Sequence, residues 1–121
     1  MSDTYVAYWK QQQTLQRREN QRLAELARRD LQRIAQALRD NYGVQRIILF
    51  GSLVKGEFTA ESDIDLAVAG LAPADFFTAY AEANRLSQFQ VDLKPLESLH
   101  PHFHQRVLAH GETIYEATDS G

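Results

Sequence analysis

From about Tyr5 to Asn41 the chain has neither proline nor glycine, and Ala, Leu, Gln, Arg and Glu, all good helix formers, dominate. Leu23, Leu26, Ala27, Leu31, Ile34, Ala35, Leu38 and Tyr42 fall on one helical stripe, and Gly43 is a natural stop. Tyr5, Tyr8 and Trp9 continue the stripe upstream, with Gln12, Gln16 and Glu19 interrupting it. The pattern predicts a long N-terminal helix over 1–43. A helix of about 37 residues is about 55 Å long at 1.5 Å per residue, whereas a domain of this size has a radius of gyration of about 13 Å. The helix is therefore expected to break near 11–22 or to project its first third, offering an aromatic cluster to a partner or another copy. Folding back onto its own domain is the competing outcome.

Beyond Gly43 the periodicity changes. "VQRIILF" (44–50) reads as a buried strand, "DIDLAVA" (63–69) as another, and "FQVDLK" (89–94) alternates as a third. Between them, "PADFFTAYAEANRLS" (73–87) has Pro at a helix start and apolar residues at helical spacing. "PHFHQRVLAHG" (101–111) reads as a helix stopped by Gly111, and "TIYEA" as a short last strand. The order predicts an α/β (α+β) domain over 44–121, a small mixed β-sheet flanked by helices. Periodicity leaves the strand order open.

Composition narrows the class. The 121 residues, 44% hydrophobic, fit one compact domain, and no apolar run approaches the roughly 18 residues of a membrane span. The opening "MSDTYVAYWKQQQ" lacks the basic-then-apolar layout of a secretory signal. Without cysteine there are no disulfides or thiolate metal sites, and a cytoplasmic location is expected. Charge is uneven. Residues 1–46 hold nine Lys/Arg against five Asp/Glu, and residues 47–121 hold four against eleven. The arginines of the long helix are scattered around it, which reads as a solvated face and argues against a nucleic-acid groove.

The chemistry concentrates in "LFGSLVKGEFTAESDIDLAV" (49–68). In a strand, residues i and i+2 share a face, so Asp63 and Asp65 project together while Ile64, Leu66 and Val68 face the core. The same parity separates Asp92 and Lys94 from Val91 and Leu93, and if the two strands are neighbours Asp92 joins the pair. Two like charges about 4 Å apart cost roughly 4 kcal/mol at an effective dielectric of 20. Proton sharing relieves this, and so does a divalent cation; the all-oxygen donor set favours Mg²⁺ or Mn²⁺ over zinc. Asp92 has a structural alternative, pairing with Lys94 or an arginine. Gly51-Ser52 follows a strand directly, so a phosphate can approach the backbone closely and meet the donors of a helix start, with Lys55 one turn on. Gly51 and Gly56 enclose four residues, but Glu57-Phe58 follow where a P-loop needs Lys-Ser/Thr. The histidines of "HPHFH" (100–104) have no carboxylate nearby in sequence and are left out of the site.

A strand, Gly-Ser, ten intervening residues and Asp-x-Asp resembles the signature of the DNA polymerase β-like nucleotidyltransferase superfamily, and "FQVDLK" resembles its third-carboxylate strand. The resemblance runs from about Val44 to Glu116, and the small size is similar to the minimal nucleotidyltransferases, the MNT group. It implies that Gly51 and Ser52, aided by Lys55, hold phosphates of ATP, and that Asp63, Asp65 and Asp92 are the catalytic, metal-binding carboxylates. Leu53 stands where family members often carry Arg. The resemblance further implies Mg-dependent transfer of AMP from ATP to a tyrosine hydroxyl of a HEPN-type toxin, this chain being the antitoxin. The alternatives are a non-catalytic antitoxin that neutralises its partner by contact and an aminoglycoside-type small-molecule nucleotidyltransferase. Homo-oligomerisation through the N-terminal helix is a further expectation.

Overall fold

The computed structural model describes residues 2–118. Its first element, α1 (Ser2–Tyr42), is one continuous helix, about 60 Å long at 1.5 Å per residue. The stretch 11–22 does not interrupt it. Although polar, that stretch contains no helix breaker, and Gln16–Asn20 and Glu19–Arg22 link successive turns. All side chains from Asp3 to Glu19 are exposed, so the first part of the helix projects. Gly43, at φ 62°, ends it, its N–H donating to the Arg39 carbonyl.

Four strands follow, β1 (Arg46–Phe50), β2 (Ile64–Ala69), β3 (Val91–Pro95) and β4 (Glu112–Glu116), in the spatial order β3-β2-β1-β4. The central strand β1 runs antiparallel to both β2 and β4, whereas β2 and β3 are parallel. A parallel pair needs a crossover, and α3 (Phe76–Arg85), entered through a 3-10 turn at Pro73–Asp75, supplies it. The alternating run 89–94 becomes a strand only at Val91, because the Phe89 N–H turns back to Ser87 Oγ. Two further helices complete the chain, the single turn α2 (Ser52–Lys55) and α4 (Pro101–His110).

Strand alternation divides the core. Ile47, Leu49, Ile64, Leu66, Val68, Val91 and Leu93 meet Ala27, Leu31, Ile34 and Leu38 of α1 and Ala79 and Ala83 of α3 in one buried cluster. A smaller cluster on the opposite face joins Ile48 and Ala67 to Leu96 and to Val107 of α4. Polar ties pin α1 to the body. Buried Asp30 accepts from Arg33, from Ser87 Oγ (3.1 Å) and from the Gln88 N–H (2.9 Å). Arg28 donates twice to Glu112 of β4, both at 2.9 Å, and Tyr42 Oη donates to Glu82 of α3 at 2.8 Å. No helix among the described residues is long and apolar enough to cross a membrane.

Candidate active site

Register decides which side chains meet. Phe50 of β1 pairs with Asp65 of β2, and Asp65 pairs with Asp92 of β3. Phe50, Asp65 and Asp92 therefore lie in one row across the second face, on strands about 4.8 Å apart. Asp63 sits exposed one residue before β2. Burial pushes the Asp65 carboxyl up from 3.8 to about 6, the charges of Asp92 and then Asp63 adding to the rise, while Lys94 draws it back. Asp92 is not free of company: Lys94 Nζ donates to its Oδ2 at 2.9 Å. The lysine's own pKa is raised, first by that hydrogen bond.

Gly51 is the hinge of the site. Its φ of 80° and ψ of −152° lie in a region essentially closed to other residues. A Cβ there would also overlap the Asp65 carboxylate, Oδ2 first. The strand end thus brings bare backbone against Asp65. The chain then makes the single turn α2, with Leu53 buried and Lys55 exposed. Ser52 is half-buried, its carbonyl accepting from the Gly56 and Glu57 N–H groups.

Over this corner opens a cleft of ≈ 300 Å³, lined by Phe50, Gly51, Val54, Lys55 and Asp65 on one side and by Phe103, Arg106, Val107, His110 and Gly111 on the other. Of the expected site residues, Gly51, Lys55 and Asp65 line it. Asp63 and Asp92 act on Asp65 from beside it, and Ser52 is not part of the lining. The α4 wall was missed in sequence. Its signal was the spacing 103, 106, 107, 110, one helical face carrying two apolar and two basic residues, but nothing local says that this face turns toward Gly51. Phe50 and Phe103 meet edge-on at 5.6 Å between centroids. His100 is a helix cap, its Nδ1 accepting from the His102 N–H at 3.4 Å.

As they stand, no three acidic or histidine side chains among the described residues form a group that could hold a metal ion. The Lys94 ammonium already neutralises part of the charge at Asp92. The donor chemistry nonetheless suits a hard divalent cation: Asp65, half-buried and crowded by two other carboxylates, offers oxygen, as does Asp63.

Residues 32–120 match the family model described as polymerase beta, nucleotidyltransferase. Among curated proteins the chain is similar to one named "Putative protein adenylyltransferase" from Methanocaldococcus jannaschii, 32% identical over 88 residues, which are 65% of this chain and 88% of that protein. Among solved structures it is similar to a toxin-antitoxin crystal structure with AMP-PNP, at TM-score 0.62 and 31% identity over 69% of this chain and 71% of that one. It is also similar to a chain from the complex of the tri-AMPylated Shewanella oneidensis HEPN toxin with its MNT antitoxin. There the TM-score is 0.59 and the identity 26%, over 75% of this chain and 73% of that one.

Proposed function

Because the chain belongs to the polymerase β nucleotidyltransferase family, we propose that it transfers AMP from ATP to a tyrosine hydroxyl of a HEPN-type partner, as a cytoplasmic antitoxin of the MNT type. The observation that carries this reading is the row Phe50-Asp65-Asp92 with Gly51 seated on the Asp65 carboxylate. It combines close backbone access for phosphate with carboxylates that repel one another unless a cation joins them. The complexes of similar chains with HEPN toxin or with AMP-PNP support the partner and the nucleotide class.

In the proposed reaction the acceptor oxygen attacks the α-phosphorus, the bond from that phosphorus to the bridging oxygen of the β-phosphate breaks, and pyrophosphate leaves. Gly51 leaves room for the phosphates, with Ser52 as a hydroxyl donor and Lys55 as a counter-charge. Asp63 and Asp65 would hold Mg²⁺, or Mn²⁺ in its place, which supplies charge neutralisation to the triphosphate. Asp92 Oδ1, the oxygen not engaged by Lys94, receives the acceptor's proton. With Lys55, Arg106 and His110 of its lining all exposed, the cleft favours an acceptor delivered on a protein surface over an enclosed small molecule.

The joint replacement Asp63→Ala/Asp65→Ala should abolish transfer of labelled AMP to the co-purified partner, by at least about a thousandfold, while the circular dichroism spectrum is unchanged. Undiminished transfer would sink the catalytic reading. A second reading, neutralisation by contact alone, has the Asp92–Lys94 ion pair and the buried Leu53 in its favour. Retained partner inhibition by the double variant, with no calorimetric response to Mg²⁺ and ATP in the native protein, would select it.

A further inference from the structure

Residues 47–121 carry only four Lys/Arg, namely Lys55, Arg85, Lys94 and Arg106. Arg85 lies 3.8 Å from Glu82, away from the cleft. The other three gather at one corner: Lys55 and Arg106 line the cleft, and Lys94 holds Asp92 beside Asp65. In a region with eleven acidic residues, that concentration marks a place for an anion larger than one carboxylate. Arg106 makes no ion pair or side-chain hydrogen bond among the described residues, so its five donors remain available. His110, four residues on, shares the cleft-facing side of α4 with it. Single-turn α2 has little dipole to offer, and its Leu53 is directed into the core. Cationic grip on that side of Gly51 must come largely from elsewhere.

Resting on the reading above, we propose that Arg106 and His110 of α4, facing Lys55 across the cleft, form the subsite for the β- and γ-phosphates of the nucleotide. Arg106 binds phosphate oxygens by paired N–H donation, and His110 adds a donor. Phe103 and Val107, on the same helical face, line the cleft with them, while Arg106, His110 and Lys55 are themselves exposed and open to an incoming polyphosphate. The cation needed by the polyphosphate is thus brought from a helix more than fifty residues downstream of the Gly-Ser turn.

Calorimetric titration of the full chain with inorganic tripolyphosphate, ATP and AMP tests this without requiring turnover. Arg106→Ala should weaken tripolyphosphate and ATP binding about tenfold or more, with His110→Gln having a smaller effect, since hydrogen bonds to charged groups are the stronger ones. AMP binding should change little. Arg18→Ala, which removes the same charge from the exposed arm, should leave all three unaltered, and Arg106→Lys should recover part of the loss. Tripolyphosphate binding that is absent in the native chain, unchanged in Arg106→Ala, or equally reduced in Arg18→Ala overturns the proposal. AMP transfer on the same samples separates the two claims. Arg106-dependent tripolyphosphate binding without any transfer keeps the subsite and removes the enzyme; normal transfer with a silent Arg106→Ala does the reverse.

Discussion

The two faces of the sheet are made from alternate residues of the same strands, yet they do opposite things. Ile64, Leu66 and Val68 enter a dry cluster closed by α1 and α3, whereas Asp65, between them in sequence, enters a cleft that α4 only partly roofs. The first face stabilises; the second holds a carboxylate that would be more comfortable in water. Burial free energy from one face, about 25 cal/mol per Å² of apolar surface, offsets the electrostatic cost on the other. A small domain can carry a strained site because a strand separates its structural and chemical duties every 3.3 Å or so.

The largest effect should come from the closed face. Leu66→Ala, at a fully buried position, should lower unfolding free energy in urea by about 2–5 kcal/mol. Ligand binding by the fraction that remains folded should be largely preserved, and a mutant that lost binding without losing stability would blur the division. Next is the hinge between faces. Gly51→Ala must adopt a glycine-only conformation and displace the Asp65 carboxylate, at a cost of about 1–3 kcal/mol. Nucleotide binding should fall with it, whereas Gly56→Ala, with nothing within 4 Å of its added carbon but the same sign of φ, should lose stability and spare binding.

The smallest effect has the opposite sign. Asp65 titrates near 6 in the folded chain and near 3.9 when unfolded. Between those values the native state holds the extra proton, so the contribution of Asp65 is most favourable below about pH 4 and declines as pH rises through about 6. Asp65→Asn should remove that slope. Measured in EDTA, its stability advantage over the native chain should grow between pH 4 and 7.5 by about 1 kcal/mol, well under the full ~1.4 kcal/mol per pH unit because water screens a half-exposed group. An advantage that shrinks with rising pH would mean that burial, with the charges of Asp92 and Asp63, does not raise Asp65 in this way. Glu112 runs the other way: its hydrogen bonds from Arg28 lower its pKa, and that support fades as pH falls through the lowered value.

Much of this was legible in one dimension. The helical stripe through Leu31, Ile34 and Leu38, the strand parity around Asp65 and the glycine after Phe50 each follow from short-range periodicity and backbone sterics. Those are local rules, and the chain obeys them locally. The arm was legible only as a choice between breaking and projecting, because helix propensity at 11–22 and the size of the body pull in different directions. The Asp92–Lys94 pair was written in the alternation of 89–94, but whether lysine or metal neutralises that carboxylate depends on neighbours from other strands.

By itself, the order of residues determined the main helices and strands, the core-facing stripes and the parity that turns Asp65 and Asp92 away from the core, since each depends on residues within a turn or two of one another; that Asp63 falls just outside β2 and that β3 begins only at Val91 it did not. Only the tertiary structure decided that β2 and β3 pair with Asp65 opposite Asp92, and that α4 brings Arg106 and His110 to the cleft that Gly51 also lines. Those meetings join segments tens of residues apart, and they are selected by the packing of whole helices on a twisted sheet, a property that no local window contains.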